Sequence, residues 1–164
     1  MYETTVPFIV NNLTALSKFL KKAEGQIEAR KLDKSVVLGL RVYPDMLNFT
    51  KQVQLMTDFA KGCGARLSGT AIPSFPDEEK TFEELQARIA KTIDYLKGLD
   101  AKAFDAAATR DVTLKVAGKD VTMSGHAYYT TSFLPNFFFH MATAYNILRG
   151  IGLELGKGDF LGRG

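Results

Sequence analysis

Four segments of the chain repeat apolar side chains every three or four residues, and this periodicity limits the fold more than any other feature. The segments span residues 5–24, 44–67, 81–97 and 134–149. In the first, Ile9, Leu13 and Leu16 lie on one helical face, which is the pattern of a helix with one side against a core. Because each segment has a single apolar face, none of them needs a sheet to cover it. The pattern predicts an all-α fold, an up-and-down four-helix bundle.

Local signals set the predicted helix boundaries. Thr5-Val6-Pro7 starts the first helix, and Pro44-Asp45 starts the second. Thr81 and Glu84 form a capping-box pattern at the start of the third helix. Pro135 falls in the first turn of the last helix, where a missing N–H costs nothing. Residues 25–41 are less regular and are predicted to form a loop with a turn or short helix.

A β-hairpin is predicted just before the last helix. Val112–Val116 and Asp120–Met123 alternate in polarity about Ala117-Gly118-Lys119, as the two arms of a hairpin do. A chain of 164 residues has the length of one ordinary domain. We therefore expect one domain over 1–164, with the hairpin inserted before the last helix.

Composition excludes several classes of function. The formal charge is only +3, with basic and acidic residues interleaved, so we expect no nucleic-acid partner. No window reaches the length of a membrane span, and we expect no membrane association. The N-terminus lacks a charged region followed by a cleavable apolar segment, which predicts a cytoplasmic protein. The single cysteine, Cys63, rules out an internal disulfide and a cysteine-cluster metal site.

The last helix carries His140, the histidine expected to lie inside an element. Asn136, His140 and Ala144 are spaced four apart and share one line on this helix. On the second helix, the polar residues Asp45, Asn48 and Gln52 border the apolar stripe.

Leaving a buried imidazole without a partner costs about 1–3 kcal/mol, so we expect His140 to have one. The alternatives are Asp45, Gln52 and a tyrosine, of which Tyr145 is the pocket candidate on the same helix.

The run Phe137-Phe138-Phe139 spans most of a helical turn, so at least one ring must point away from the helix's own core. One interpretation is packing against the hairpin or the first helix. The other is a dimer interface or a pocket for a small apolar ligand, since large aromatic side chains are favoured in both. We favour the interface, and hence a homodimer, from this run.

Several motifs across the chain resemble an uncharacterised bacterial family labelled as a domain of unknown function, within the DinB-like (YfiT-like) superfamily of proposed metalloenzymes. The resemblance covers nearly the whole chain. The matching motifs are Pro44-Asp-Met46, Gln52-Val-Gln54, Asp58-Phe-Ala-Lys61, Ala65-Arg-Leu67, Thr81-Phe-Glu-Glu-Leu-Gln-Ala-Arg88, Pro135-Asn-Phe-Phe-Phe-His140, Ala144-Tyr-Asn-Ile-Leu-Arg149 and Gly156-Lys-Gly-Asp-Phe-Leu-Gly162.

The resemblance implies a four-helix bundle that is often dimeric. In many members of the superfamily, three histidines bind a divalent metal, one from the second helix and a His-x-x-x-His pair from the last. Some of those members are thiol transferases or metal-dependent hydrolases. This chain departs from that pattern, because Ala144 stands where the second histidine of the pair would be and the second helix has no histidine.

Two hypotheses follow. In the first, the chain is a non-catalytic, dimeric bundle with a degenerate metal site, where His140 borders a small-ligand pocket and no cofactor is expected. In the second, it is a metal-dependent enzyme in which His140 still binds zinc or nickel with an incomplete ligand set. The residues do not identify a catalytic group. The pocket candidates are His140, Asn136, Asp45, Asn48, Gln52 and Tyr145.

Overall fold

The computed structural model describes residues 1–163 and shows a mostly helical chain with one antiparallel hairpin. Four long helices in this part of the chain share one buried core, with α3 lying against both α4 and α6, and α1 against α4. The elements are α1 (Tyr2–Ala29), α2 (Lys34–Gly39), α3 (Phe49–Ser68), α4 (Phe82–Lys97), a 3-10 turn (Ala101–Phe104), β1 (Asp111–Val116), β2 (Lys119–Ser124), α5 (Gly125–Ala127), a π-helical turn (Tyr128–Phe133), α6 (Leu134–Gly150) and α7 (Lys157–Phe160). None of the helices within 1–163 is long and apolar enough to cross a membrane.

The first helix begins earlier than predicted. It starts at Tyr2, so Pro7 lies inside α1 instead of marking its start. Proline near a helix N-terminus removes one backbone bond and leaves the rest of the helix intact. The short helix expected within 25–41 is present as α2, where the Asp33 side chain accepts hydrogen bonds from the N–H groups of Ser35 and Val36.

The predicted start of the second long helix at Pro44-Asp45 is wrong. The helix, α3, begins at Phe49, and the Asn48 side chain caps it by accepting from the Lys51 N–H. An asparagine N-cap defines a helix start more strongly than a proline four residues earlier, because it satisfies a backbone donor that the helix leaves free. Asp45 therefore lies in an exposed turn outside the helix.

Buried Arg88 ties α4 to α3 and to the connection 69–81. Its guanidinium and Nε groups donate to Thr57 and Asp58 on α3 and to the Pro76 carbonyl and Glu79 in the connection. Asp77 lies 3.0 Å from the same guanidinium. Burial raises the pKa of Glu79, but hydrogen bonds from Arg88 and Gln54 outweigh this and hold that pKa below its ordinary value.

The capping box at the start of α4 and the hairpin are confirmed. The Thr81 side chain accepts from the Glu84 N–H, and Glu84 bonds back to the Thr81 N–H. In the hairpin, Ala117 and Gly118 form a two-residue turn with positive φ angles of 50° and 81°. Both values are those of a type I′ turn, whose twist matches that of the strands it joins.

The last helical segment begins before Leu134. Gly125 starts a helical turn capped by Ser124, and a π-helical turn carries the chain directly into α6. At the junction the Leu134 N–H bonds to the Tyr129 carbonyl five residues back. Pro135 follows this wide turn, so its missing N–H falls where the helical hydrogen-bond pattern already changes.

Gly125 and Gly25 offer a matched pair of glycine substitutions. A Cβ on Gly125 would lie 1.9 Å from the Ala107 carbonyl oxygen, whereas one on Gly25 in α1 would meet nothing within 4 Å. We expect Gly125→Ala to lower the free energy of unfolding by about 1–3 kcal/mol. Gly25→Ala should raise it by about 0.5–1 kcal/mol, because alanine favours a helix interior. Urea unfolding followed by circular dichroism measures both, and equal effects would contradict the placement of Gly125.

The buried Arg88 network predicts a second stability difference. Arg88→Met removes the buried cation that Asp58, Asp77 and Glu79 share, and the loss of its charged hydrogen bonds should destabilise the fold by about 1.5–3 kcal/mol. Lys91→Met, at an exposed lysine 4.3 Å from the Phe75 ring centre, should cost less than about 1 kcal/mol. Chemical unfolding of the two variants tests this prediction. If Arg88→Met lowered the free energy of unfolding by less than Lys91→Met does, Arg88 would not anchor the connection.

Candidate functional site

His140 and Gln52 meet where α6 lies against α3. His140 is 8% exposed, and its Nδ1 lies 2.7 Å from Gln52 Oε1. Gln52 is itself buried on α3. The two side chains therefore satisfy each other across the contact between the helices.

The hydrogen bonds of Gln52 assign the imidazole tautomer. Gln52 Nε2 donates to the Leu47 carbonyl at 3.0 Å, so Gln52 Oε1 is the acceptor that faces His140. An acceptor there requires a proton on His140 Nδ1. The other ring nitrogen, Nε2, then carries a lone pair when the ring is neutral.

Aromatic rings surround the imidazole on two sides. The Phe59 ring is stacked on it at 5.5 Å between centroids, and the Phe139 ring meets it edge-on at 5.4 Å. Burial lowers the pKa of His140 below its ordinary value, so the ring is neutral at pH 7. Phe139 and Leu47 are 55% and 45% exposed, respectively. We call the surface formed by Leu47, Gln52, Phe59, Phe139 and His140 the His140 face.

His140 Nε2 is an acceptor without a protein partner within residues 1–163. No group there donates a hydrogen bond to it, and the nitrogen is not fully enclosed by the protein. The small exposed fraction of the residue therefore includes this nitrogen. An oriented, neutral imidazole with an accessible lone pair can accept a hydrogen bond from a ligand.

The other predicted site residues lie apart from this contact. Asp45 is exposed in the turn before α3, and Asn48 is engaged as the α3 cap. Asn136 lies one turn before His140, where its amide donates to the Ser132 carbonyl. Tyr145 lies toward α1, with its hydroxyl 3.3 Å from the Leu155 carbonyl. Of the predicted set, the structure brings only Gln52 into hydrogen-bond contact with His140.

Two residues of the His140 face were missed in the sequence. Phe59 follows Gln52 by seven residues on α3, a spacing that places both on the same helical side and could have identified it. Leu47 contributes through its backbone carbonyl, for which the sequence carries no signal. Of the aromatic run, Phe137 is buried and Phe138 meets Phe8 of α1 edge-on at 5.8 Å. Packing against the first helix therefore accounts for Phe138, while Phe139 remains at the surface.

The residues present do not fit the divalent metal that the resemblance implies. A zinc site takes three or four ligands from histidine, cysteine and carboxylate. Within the described chain, no group of three or more such side chains is placed to hold an ion. Gln52 Oε1, which lies 2.7 Å from His140 Nδ1, already accepts a hydrogen bond from the imidazole N–H.

Four clefts on residues 1–163 lie away from His140. The one between the connection 69–81 and α4 measures about 320 Å³ and is lined in part by Phe75, Arg88 and Lys91. The other three are bordered by the first turn of α1, by the α1 lysines, and by α2. His140 lines none of these four clefts.

Comparisons with known proteins identify a family and a similar solved structure. The family described as Domain of unknown function (DUF1993) matches residues 1–161. The chain is also similar to a solved structure, the crystal structure of a DinB family member from Shewanella denitrificans, with 37% sequence identity and a TM-score of 0.89. That similarity covers 98% of this chain and 90% of the other. Among curated proteins, none matches the chain.

The buried imidazole predicts a pH dependence of stability. The pKa of His140 is lower in the folded chain than in the unfolded chain, so the unfolded chain binds more protons than the folded chain as the pH falls below 6.5. The free energy of unfolding therefore decreases with falling pH until the folded-state pKa is passed. We expect His140→Phe to remove this part of the dependence, measured by urea unfolding between about pH 7.5 and about pH 5. His126→Gln, at an exposed histidine, should leave it unchanged. Identical curves for wild type and His140→Phe would contradict the burial of a neutral ring.

Proposed function

We propose that this chain, which belongs to the family Domain of unknown function (DUF1993), is a non-catalytic up-and-down four-helix bundle of DinB-like type that binds a small apolar ligand on the His140 face. The observation that carries this proposal is the orientation of His140. Gln52 holds Nδ1–H, so the lone pair of Nε2 is the polar contact left for a ligand among aromatic side chains.

The chemistry near His140 supports binding over catalysis. A general base needs a reacting partner within hydrogen-bond reach, and the groups at this face are an amide, two phenylalanines and a leucine. Cys63, the only thiol of the chain, is buried on α3, where loss of solvation raises its pKa well above the ordinary value. A thiol in that state is a poor nucleophile.

The face favours a ring-bearing ligand with one hydrogen-bond donor. Exposed Phe139 and half-buried Phe59 offer ring surfaces for stacking or edge contacts, which favour aromatic ligands. His140 Nε2 accepts from a hydroxyl or N–H on the ligand. The site is neutral at pH 7, so an uncharged donor such as a phenol or an amide suits it better than an ion.

A metal-dependent enzyme is the second candidate, and one observation favours it. Metal-binding histidines usually donate their second ring N–H to a fixed acceptor, as His140 does to Gln52. Further ligands would have to come from outside the residues that surround His140. Elemental analysis after incubation with zinc or nickel tests this alternative, since metal retained by wild type and lost in His140→Ala would favour it over the binding proposal.

Phenol is the probe for the binding proposal, with toluene as its isostere without a donor. In an NMR titration, phenol should shift the His140 Nε2 resonance, and toluene should bind several-fold more weakly. Phe139→Ala should weaken phenol binding, whereas Val121→Ala on the exposed hairpin should not.

His140→Phe separates the polar contribution from the apolar one. It keeps a ring at the same place and removes the acceptor, so phenol and toluene should then bind alike. Equal binding of the two compounds to wild type, or shifts centred away from α3 and α6, would overturn the proposal.

A further inference from the structure

The hairpin β1–β2 carries backbone groups that nothing in the described chain uses. Val112 is buried, and Leu114 and Met123 are partly buried and pack against the core, so one face of the hairpin is covered. No backbone hydrogen bond joins the strand residues 111–124 to another element within residues 1–163. A two-stranded hairpin by itself is marginally stable in water, and an open strand edge is a template for further pairing.

We propose that the free edge of β1 pairs with the same edge of a second copy of this chain. The two β1 strands run antiparallel about a two-fold axis at Thr113 and join the hairpins into a four-stranded sheet. This inference is independent of the His140 face, since it uses different residues and a different surface.

The turn determines which β1 groups face the free edge. A two-residue loop closes on a hydrogen-bonded pair, here Val116 with Lys119, and hydrogen-bonded pairs then recur at every second residue. The bond from the Gly125 N–H to the Arg110 carbonyl continues the same alternation beyond the strands. Asp111, Thr113 and Lys115 therefore direct their N–H and C=O groups outward.

The outward edge of β1 is complementary to itself. With Thr113 opposite Thr113 of the second copy, Asp111 of each copy lies opposite Lys115 of the other. Each of these is a hydrogen-bonded pair, in which both N–H···O=C bonds are exchanged. Directly opposite side chains of unlike charge stabilise antiparallel strands. In its own hairpin Asp111 has only Ser124 opposite it, whereas Lys115 has Asp120 on one side and would gain Asp111 of the second copy on the other.

The side chains continue existing rows across the junction. Thr113 and Thr122 are already joined by a 2.8 Å hydrogen bond, and the axis at Thr113 extends this threonine row into the second copy. On the other face, Val112 lies opposite Leu114 of the second copy. Polar residues thus meet polar residues and apolar meet apolar, which a shift of register by one residue would destroy.

The free edge of β2 lacks this complementarity. By the same alternation, the backbone N–H and C=O groups of Asp120, Thr122 and Ser124 point toward the free edge of β2. A two-fold axis at Thr122 would place Asp120 opposite Ser124 of the second copy, which is not a charge pair. Pairing of β1 with β2 of another copy would be head-to-tail and would extend into open chains. The β1 edge is therefore the one suited to a closed dimer.

Sedimentation velocity over a series of protein concentrations tests the dimer. Thr113→Pro removes an outward N–H and no ladder bond, and proline is tolerated at such edge positions. We expect it to raise the dimer dissociation constant about tenfold or more, since the central pair loses its bonds. Thr122→Pro, the matched change on the β2 edge, should leave the dissociation constant unchanged.

A charge exchange tests the register without relying on proline. Asp111→Lys alone and Lys115→Asp alone each place like charges opposite each other in a homodimer, so each should be mainly monomeric. Mixing the two variants restores unlike pairs at both positions, and a heterodimer should form. Circular dichroism of each variant confirms that it is folded.

A wild-type chain that stays monomeric at all concentrations would overturn the proposal. So would a dimer that survives Thr113→Pro, a dimer lost through Thr122→Pro, or folded charge variants that do not associate when mixed.

Discussion

The described structure depends most on one buried cation. Arg88 is 3% exposed and joins α4 to α3 and to the connection 69–81. A guanidinium out of water is stable only when its donors are paired, so Arg88, its carboxylate partners and the Pro76 carbonyl must be placed together. Their placement fixes the rotation of α3 about its own axis. The side of α3 that Arg88 does not contact is then turned toward α6, where Gln52 meets His140.

α3 thus carries two polar arrangements of opposite character. Around Arg88, lysines and carboxylates alternate, with Lys61 on Asp58 and Lys51 on Asp77, and the charges hold a connection without regular secondary structure in place. Around His140, an amide and a neutral imidazole satisfy each other, and the remaining neighbours are phenylalanines. Because every nitrogen of Arg88 has an acceptor, this charged group is suited to structure. The neutral pair leaves one acceptor free, and this is the arrangement a binding surface requires.

Apolar periodicity predicted which segments are helical, and turn residues predicted the hairpin, since both signals are local. The start of α3 was missed because two local signals competed, Pro44 and the Asn48 cap, and the cap defined the start. The early start of the last helical segment depends on Gly125 against the Ala107 carbonyl, a tertiary contact that no local pattern reports. The partner of His140 was open among three alternatives, because choosing Gln52 requires the relative rotation of α3 and α6. Tyr145 shares a helix with His140, yet it lies against Phe19 of α1, and only the packing decides this.

The identity of residue 52 decides what the face around His140 can recognise. A carboxylate at that place would favour the imidazolium, raise the pKa of His140 and make both ring nitrogens donors. Glutamine does the opposite. Its Nε2 is fixed on the Leu47 carbonyl, so it can offer only an acceptor to Nδ1–H, and burial then keeps the ring neutral. The two helices thereby present an acceptor instead of a cation, and an uncharged donor on an apolar ligand is the complement of that surface.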